Sequence, residues 1–158
     1  MPLATDRMTL IHAVMWSLHV GFAILWTGSV LFVSLAVVPP ATRGDVGGKL
    51  LSTVVGRLRW ITRIGALVFV ATGGHMAGQL YTADTLTGTG AGHLVLTMIA
   101  LWFLITGLVE VAGSKAVAGL DGDIAGAAAD AKPFFYAAAG LSVALILTAG
   151  LLANPFGL

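Results

Sequence analysis

Four long apolar stretches constrain this chain more than any other feature of its sequence. They cover residues 10–38, 60–81, 92–112 and 133–153, within a residue or two at each end. Each matches or exceeds the roughly 20 apolar residues with which a helix crosses the hydrocarbon core of a bilayer. None shows the apolar–polar alternation of a barrel strand, so helices must satisfy the backbone groups in lipid. The sequence therefore predicts an all-α integral membrane protein, a four-helix bundle with antiparallel up-and-down topology.

Charged residues are too scarce to cover a water-facing surface. Only 9% of the 158 residues are charged and 58% are hydrophobic, whereas about a quarter of the residues in a soluble domain are charged. Four spans and their connections account for the whole length, so we expect a single transmembrane domain over residues 1–158. The net charge of +1 does not favour a nucleic-acid partner. The expected surroundings are the lipid bilayer, with a redox partner protein or a second copy of the chain left open.

Prolines mark two of the expected helix ends. Pro39 and Pro40 follow the first apolar stretch, and because proline lacks the backbone N–H that continues a helix, we expect the first helix to stop before them. Pro133 opens the fourth stretch. Proline is tolerated in the first turn of a helix, so we expect the fourth helix to begin there.

Basic residues are distributed unevenly between the two sides of the predicted bundle. Seven of the eight lie in or beside the first and third connections: Arg43, Lys49, Arg57, Arg59, Arg63, Lys115 and Lys132. Arg7 alone lies on the other side. The positive-inside rule then predicts a multi-pass protein of the cell membrane whose two termini are both non-cytoplasmic. Arg63 and Glu110 are the only charges well inside the apolar stretches, and we expect them to pair across the second and third helices.

The chain contains no cysteine and four histidines. The lack of cysteine excludes c-type haem attachment, iron–sulfur clusters and thiolate metal sites. Alternating spans place His12, His19, His75 and His93 towards the non-cytoplasmic leaflet. Counted from the ends of their stretches, His19 and His75 each lie roughly 9–12 Å deep. A buried imidazole is costly in hydrocarbon without a partner, so this pair is the leading candidate metal site.

The remaining histidines and the methionines leave alternatives open. Interfacial positions suit His12 and His93, which are therefore weaker candidates as ligands. For His19 and His75 the alternative is a structural role in interhelical hydrogen bonds to Ser or Thr. One face of the first helix also carries a softer set of ligands that suits copper, especially reduced copper, and this set consists of Met8, His12, Met15 and His19.

Trp26 lies on the same face of the first helix as these ligands, and glycines lie near both candidate histidines. Gly28 on the first helix and Gly74 on the second would let a flat macrocycle approach the backbone closely. The alternative for these glycines is ordinary packing of small residues between membrane helices.

The segment from Leu18 to Gly28 resembles the first helix of the copper-resistance protein D superfamily and of the related HemJ-type protoporphyrinogen oxidases. The shared features are a leucine–histidine pair, an apolar run, and Trp26 and Gly28 about two turns later, followed by a basic connection into the second helix. The resemblance implies that His19 matches the family histidine implicated in b-type haem binding in one branch and in copper handling in the other. Such proteins often carry a lysine near the start of the third helix, where this chain has His93. Haem binding is therefore expected more than protoporphyrinogen oxidation itself.

These observations together predict a membrane redox protein that binds haem b. We expect His19 and His75 as the axial ligands, with Trp26, Gly28 and Gly74 beside the cofactor. The activity would be electron transfer or oxidation of a small apolar or porphyrin substrate, and whether the chain is an enzyme stays open. The alternatives are a copper-binding or copper-transport protein and a structural subunit of a membrane complex.

Overall fold

The computed structural model describes residues 2–119 and 122–153, with side chains from Met8 onward, so the side chain of Arg7 lies outside the described part. The helical elements, in chain order, are α1 (Pro2–Phe32), a π-helical turn (Val33–Val37), α2 (Val38–Thr42), α3 (Gly48–Leu80), α4 (Ala83–Gly88), α5 (Gly90–Ala118) and α6 (Ile124–Leu152). No strand occurs among the described residues. The all-α prediction is confirmed for this part of the chain.

Three helical segments among the described residues are long and apolar enough to cross a membrane: Met8–Thr42, Gly90–Ala118 and Ile124–Leu152. α3, which contains the second predicted span, carries four basic side chains and is not one of the three. Large apolar side chains are exposed on the outer helix surfaces, as at Leu67, which is 75% exposed. These features agree with the predicted helical membrane protein.

The expected stop before Pro39 and Pro40 is wrong, because the helix continues to Thr42. The π-helical turn precedes the prolines, and within it the N–H of Val38 donates to the carbonyl of Val33, five residues back. The prolines therefore enter at the start of a new helical segment, where a missing N–H costs no hydrogen bond. A local widening of the helix accommodates a sequence that would otherwise end it.

The expected start of the fourth helix at Pro133 is also wrong, because α6 begins at Ile124 and Pro133 lies inside it. Asp123 caps the helix by accepting a hydrogen bond from the N–H of Gly126 at 2.8 Å. The sequence from this cap to the proline is rich in alanine, the residue with the highest helix propensity. Cap and propensity together start the helix early, and the connection expected over residues 114–132 is largely helical.

Small side chains dominate the interior where the last two helices meet. α5 and α6 share the most extensive interface of the fold, and alanines are the commonest of their buried residues, among them Ala112, Ala116, Ala128, Ala131 and Ala138. Small residues let membrane helices approach closely. α3 packs against both α1 and α5, so the contact between α1 and α3, here called the α1–α3 seam, carries most of the candidate residues.

Candidate metal and cofactor site

His12 and His75 face each other at one end of the α1–α3 seam. Their ring centroids lie 6.4 Å apart, with 45° between the ring planes, and both side chains are partly buried. Hydrogen bonds in the described part of the chain reach the rings of His19 and His93 but neither of these two. Two imidazoles from different helices thus lie together, and neither is hydrogen-bonded to another residue of the described part of the chain.

His19 lies further along the seam and contacts Thr72. The two atoms His19 Nδ1 and Thr72 Oγ1 are 2.8 Å apart, and the Thr72 hydroxyl donates its single proton to the carbonyl of Val68 at 2.6 Å. Thr72 must therefore accept from His19, which places the imidazole proton on Nδ1. The lone pair on Nε2 is then available, and this is how a metal-binding histidine is usually oriented by its neighbours.

Two close contacts fix the position of the His19 ring. Phe69 meets it edge-to-face, with 5.2 Å between the ring centroids. On the other side lies the backbone of Gly73, where an added Cβ would be only 3.2 Å from His19 Cε1. The tight fit at Gly73 lets α1 and α3 approach each other at the depth of His19, and the histidine ring that lies beside His75 is that of His12. The predicted pairing of His19 with His75 stays a prediction.

Trp26 occupies the next part of the seam and is fully buried, with 1% of its surface exposed. Its Nε1 donates to the hydroxyl of Thr62 at 3.0 Å, and Thr62 in turn donates to the carbonyl of Leu58. The Phe69 ring lies against the indole, with 5.5 Å between centroids. Trp26 therefore has a complete set of packing and hydrogen-bond partners within the protein.

The two glycines predicted to lie beside a cofactor are both exposed. A Cβ added at Gly28 or Gly74 would meet no atom within 4 Å. Helix packing in the structure does not require a glycine at either position, unlike Gly73. Gly78, which follows Gly74 by one helical turn beside His75, is equally open.

The other candidate ligands are dispersed. Met8 is 54% exposed and Met15 is partly buried. The exposed His93 donates from Nε2 to the carbonyl of Thr87 at 2.7 Å, which ties α5 to the short helix α4 and fits the interfacial interpretation. Within residues 2–119 and 122–153, no three His, Asp or Glu side chains are grouped closely enough to hold a metal ion.

A charged cluster joins α3 to α5, and it confirms the predicted pairing of Arg63 with Glu110. Arg63 Nε lies 2.9 Å from one carboxylate oxygen. Arg59, one turn earlier on the same helix face, binds the other oxygen through Nε at 2.9 Å and Nη2 at 2.7 Å. The aliphatic part of Arg59 packs against Gly113, which has no side chain; an added Cβ there would be 2.5 Å from Arg59 Cδ.

Arg59 was the partner that sequence reasoning missed, because it was placed in a connection and not in a span. The available signal was its spacing of four residues from Arg63, which puts both guanidinium groups on one face of a helix.

Comparisons of the chain with protein-family models, with curated proteins and with solved structures find no match.

Proposed function

We propose that the chain is a multi-pass cell-membrane protein that binds b-type haem and acts in electron transfer or in the oxidation of a small apolar or porphyrin substrate, in the manner of the copper-resistance protein D superfamily. Its four long helices form an antiparallel bundle with both termini outside. Two observations support that topology. The contacts along the seam run from His12 beside His75 to Trp26 beside Thr62, which is the order of antiparallel neighbours, and the basic residues have the required asymmetry.

The observation that carries the proposal is the spacing of His12 and His75. Two imidazoles on opposite sides of one metal ion, each bound at about 2 Å, place their ring centroids roughly 6 Å apart, because the nitrogen of each ring lies a little over 1 Å from its centre. The two rings are 6.4 Å apart before any ligand is considered. They also come from different helices, as axial ligands of a haem iron do in helical membrane proteins.

The surroundings of His75 fit a flat cofactor. Gly74 and Gly78 flank it on α3 and are open, with no atom within 4 Å of an added Cβ at either position. The haem would supply the electron chemistry, while the protein holds it, orients it and keeps it in an apolar environment.

His19 is the rival partner of His75, and it is the one that the sequence and the family resemblance predict. Its Nδ1–H is fixed on Thr72, so Nε2 is prepared for a metal. Its ring packs against Gly73 and Phe69, whereas the ring that lies beside His75 is that of His12. The geometry therefore favours His12 with His75, and His19 with His75 is the alternative ligand pair.

The test is the absorption spectrum of the purified protein after expression with ample haem. We expect a Soret band and a six-coordinate spectrum for the parent, loss of the haem in His75→Ala and His12→Ala, and retention in His19→Ala. His93→Ala is the matched control, because that ring binds a backbone carbonyl at the α4–α5 junction. If His12→Ala retains the haem and His19→Ala loses it, the ligands of the haem would be the sequence-predicted pair, His19 and His75. No Soret band in the parent would overturn haem binding altogether.

Copper is the second candidate, and the same spacing favours it. Reduced copper accepts imidazole and thioether ligands, and the 6.4 Å between the His12 and His75 ring centroids is close to the separation of two imidazoles that bind one ion. Copper binding without a Soret band, lost in His12→Ala and His75→Ala, would support a copper-binding or copper-transport protein. If Met8→Ala or Met15→Ala also lowers copper binding, the predicted Met–His face of α1 would be part of the copper site.

A further inference from the structure

An open apolar groove of about 470 Å³ runs between α1 and α3 on the opposite side of Trp26 from the histidines. Its α1 wall includes Ile24 and Phe32, which are largely exposed. Its α3 wall includes Ile61 and the guanidinium-bearing Arg57. The groove thus combines an apolar surface with one charged group.

Arg57 differs from the other two arginines on this part of α3. Arg59 and Arg63 both bind Glu110, so their charge is partly neutralised. Arg57 is exposed, and no acidic side chain in the described part of the chain pairs with it. Its full positive charge therefore faces the groove.

The other polar groups along the groove are already satisfied. The hydroxyl of Ser29 donates to the carbonyl of Leu25 at 2.6 Å, and the hydroxyl of Thr53 donates to the carbonyl of Lys49 at 2.8 Å. Arg57 is thus the donor with free capacity among the described residues that line the groove. Its planar guanidinium matches a phosphate, which it can bind through two parallel hydrogen bonds.

We infer that this groove is a binding site for an anionic phospholipid, with one acyl chain along the apolar wall of α1 and the phosphate on Arg57. An apolar surface in a membrane helix accommodates a lipid chain without a cost in desolvation, whereas an unpaired arginine near the end of a span is stabilised by an anionic headgroup. The site goes beyond the proposed redox function and does not depend on haem or copper, but it rests on the proposal that α3 crosses the membrane.

Gly28 is a position at which a single substitution can narrow the groove. It lines the groove, and a Cβ there would touch nothing within 4 Å. A leucine at this position would therefore project into the groove without disturbing the helix packing. Gly28→Leu and Arg57→Gln separate the two components of the site, since the first blocks the chain and the second removes the charge.

The experiment measures lipid binding to the purified protein by native mass spectrometry, with phosphatidylglycerol and phosphatidylcholine of identical acyl chains. We expect the parent to prefer phosphatidylglycerol by about fivefold, the factor that corresponds to one basic side chain at an anionic lipid surface. Arg57→Gln should abolish that preference, and Gly28→Leu should weaken binding of both lipids. Melting temperatures of the variants establish that they are folded.

Lys49→Gln is the matched control. Lys49 lies on the same helix and is exposed, and its side chain does not line the groove, so the variant should keep the fivefold preference. If Lys49→Gln reduces the preference for phosphatidylglycerol as much as Arg57→Gln does, the attraction is a general effect of basic charge. That result would overturn the proposed site. Equal binding of the two lipids by the parent would overturn it as well.

Discussion

The carboxylate of Glu110 is the contact that couples α3 to α5 electrostatically, and its strength can be worked out from the geometry. Arg59 donates two charge-assisted hydrogen bonds to it, at 2.9 and 2.7 Å. Hydrogen bonds to charged groups contribute about 1.5–3 kcal/mol each. The side chains of Arg59 and Glu110 are 26% and 31% exposed, and solvent screening reduces each bond to about 1 kcal/mol. We therefore expect Arg59→Gln to lower the free energy of unfolding by about 2 kcal/mol.

Thermal unfolding in detergent measures this loss. For a chain of this size, 2 kcal/mol corresponds to a fall in melting temperature of about 4–8 °C. Glu110→Gln should cost more than Arg59→Gln, because both arginines then lose their anionic partner in a partly apolar site. Arg63→Gln should cost less than either, because its side chain is 61% exposed. Arg43→Gln serves as the control, since both Arg43 and its partner Asp45 are exposed.

Combining the substitutions tests the reasoning itself. The double variant Arg59→Gln/Glu110→Gln should be more stable than the sum of the single losses predicts, since removing both charges leaves no isolated charge behind. Gly113→Ala should reproduce part of the Arg59→Gln loss and add little to it, because the new methyl group displaces the Arg59 stem. Strictly additive losses in both combinations would refute the view that these residues act as one unit.

Two further predictions concern the seam and the topology. Trp26→Phe should lower the free energy of unfolding by about 2 kcal/mol, since the buried indole donor to Thr62 is lost and the smaller phenyl ring leaves a cavity at a fully buried position; an unchanged melting temperature would show that neither the bond nor the packing of Trp26 is stabilising. Cysteines introduced at Asp84 and Lys49 should differ in labelling by an impermeant thiol reagent in intact cells, with only the Asp84 position labelled. The reverse pattern would overturn the proposed orientation.

Hydropathy predicted the helical class and the apolar segments, but the ends of the helices depended on competing local effects. Proline lacks an N–H, and that rule placed an end before Pro39 and a start at Pro133. In the structure, however, these prolines lie within helical segments. A π-helical turn places Pro39 at the beginning of a new segment, and the cap at Asp123 begins α6 early enough to enclose Pro133. Neither the π-helical turn nor the cap at Asp123 produces a hydrophobic periodicity in the sequence.

The charged cluster was partly predictable for a reason that does not extend to the histidines. A charge inside an apolar stretch needs an opposite charge, so Arg63 and Glu110 had to be partners. An imidazole can be satisfied by a hydroxyl or a carbonyl on any neighbouring helix, so the sequence does not dictate a single partner for it. The depth of the histidines was counted from the edges of apolar stretches, whereas α1 begins at Pro2, and the register between α1 and α3 depends on side-chain fit. The contact of His19 with Gly73 sets that fit, and no count along one helix reveals it.

The α1–α3 seam has two parts, which differ in whether their polar groups have hydrogen-bond partners. The part around Trp26 is structural, and the part at His12 and His75 is available for chemistry. At Trp26 each polar hydrogen has an acceptor, through Thr62 to the carbonyl of Leu58, and such a chain stabilises a helix contact without offering anything to a ligand. At His12 and His75 two imidazoles lie together with no hydrogen bond to the rest of the described chain. Polar groups left without partners in an apolar environment are costly. A bound metal centre would remove that cost, and for that reason we place the proposed function at the end of the seam where His12 and His75 meet.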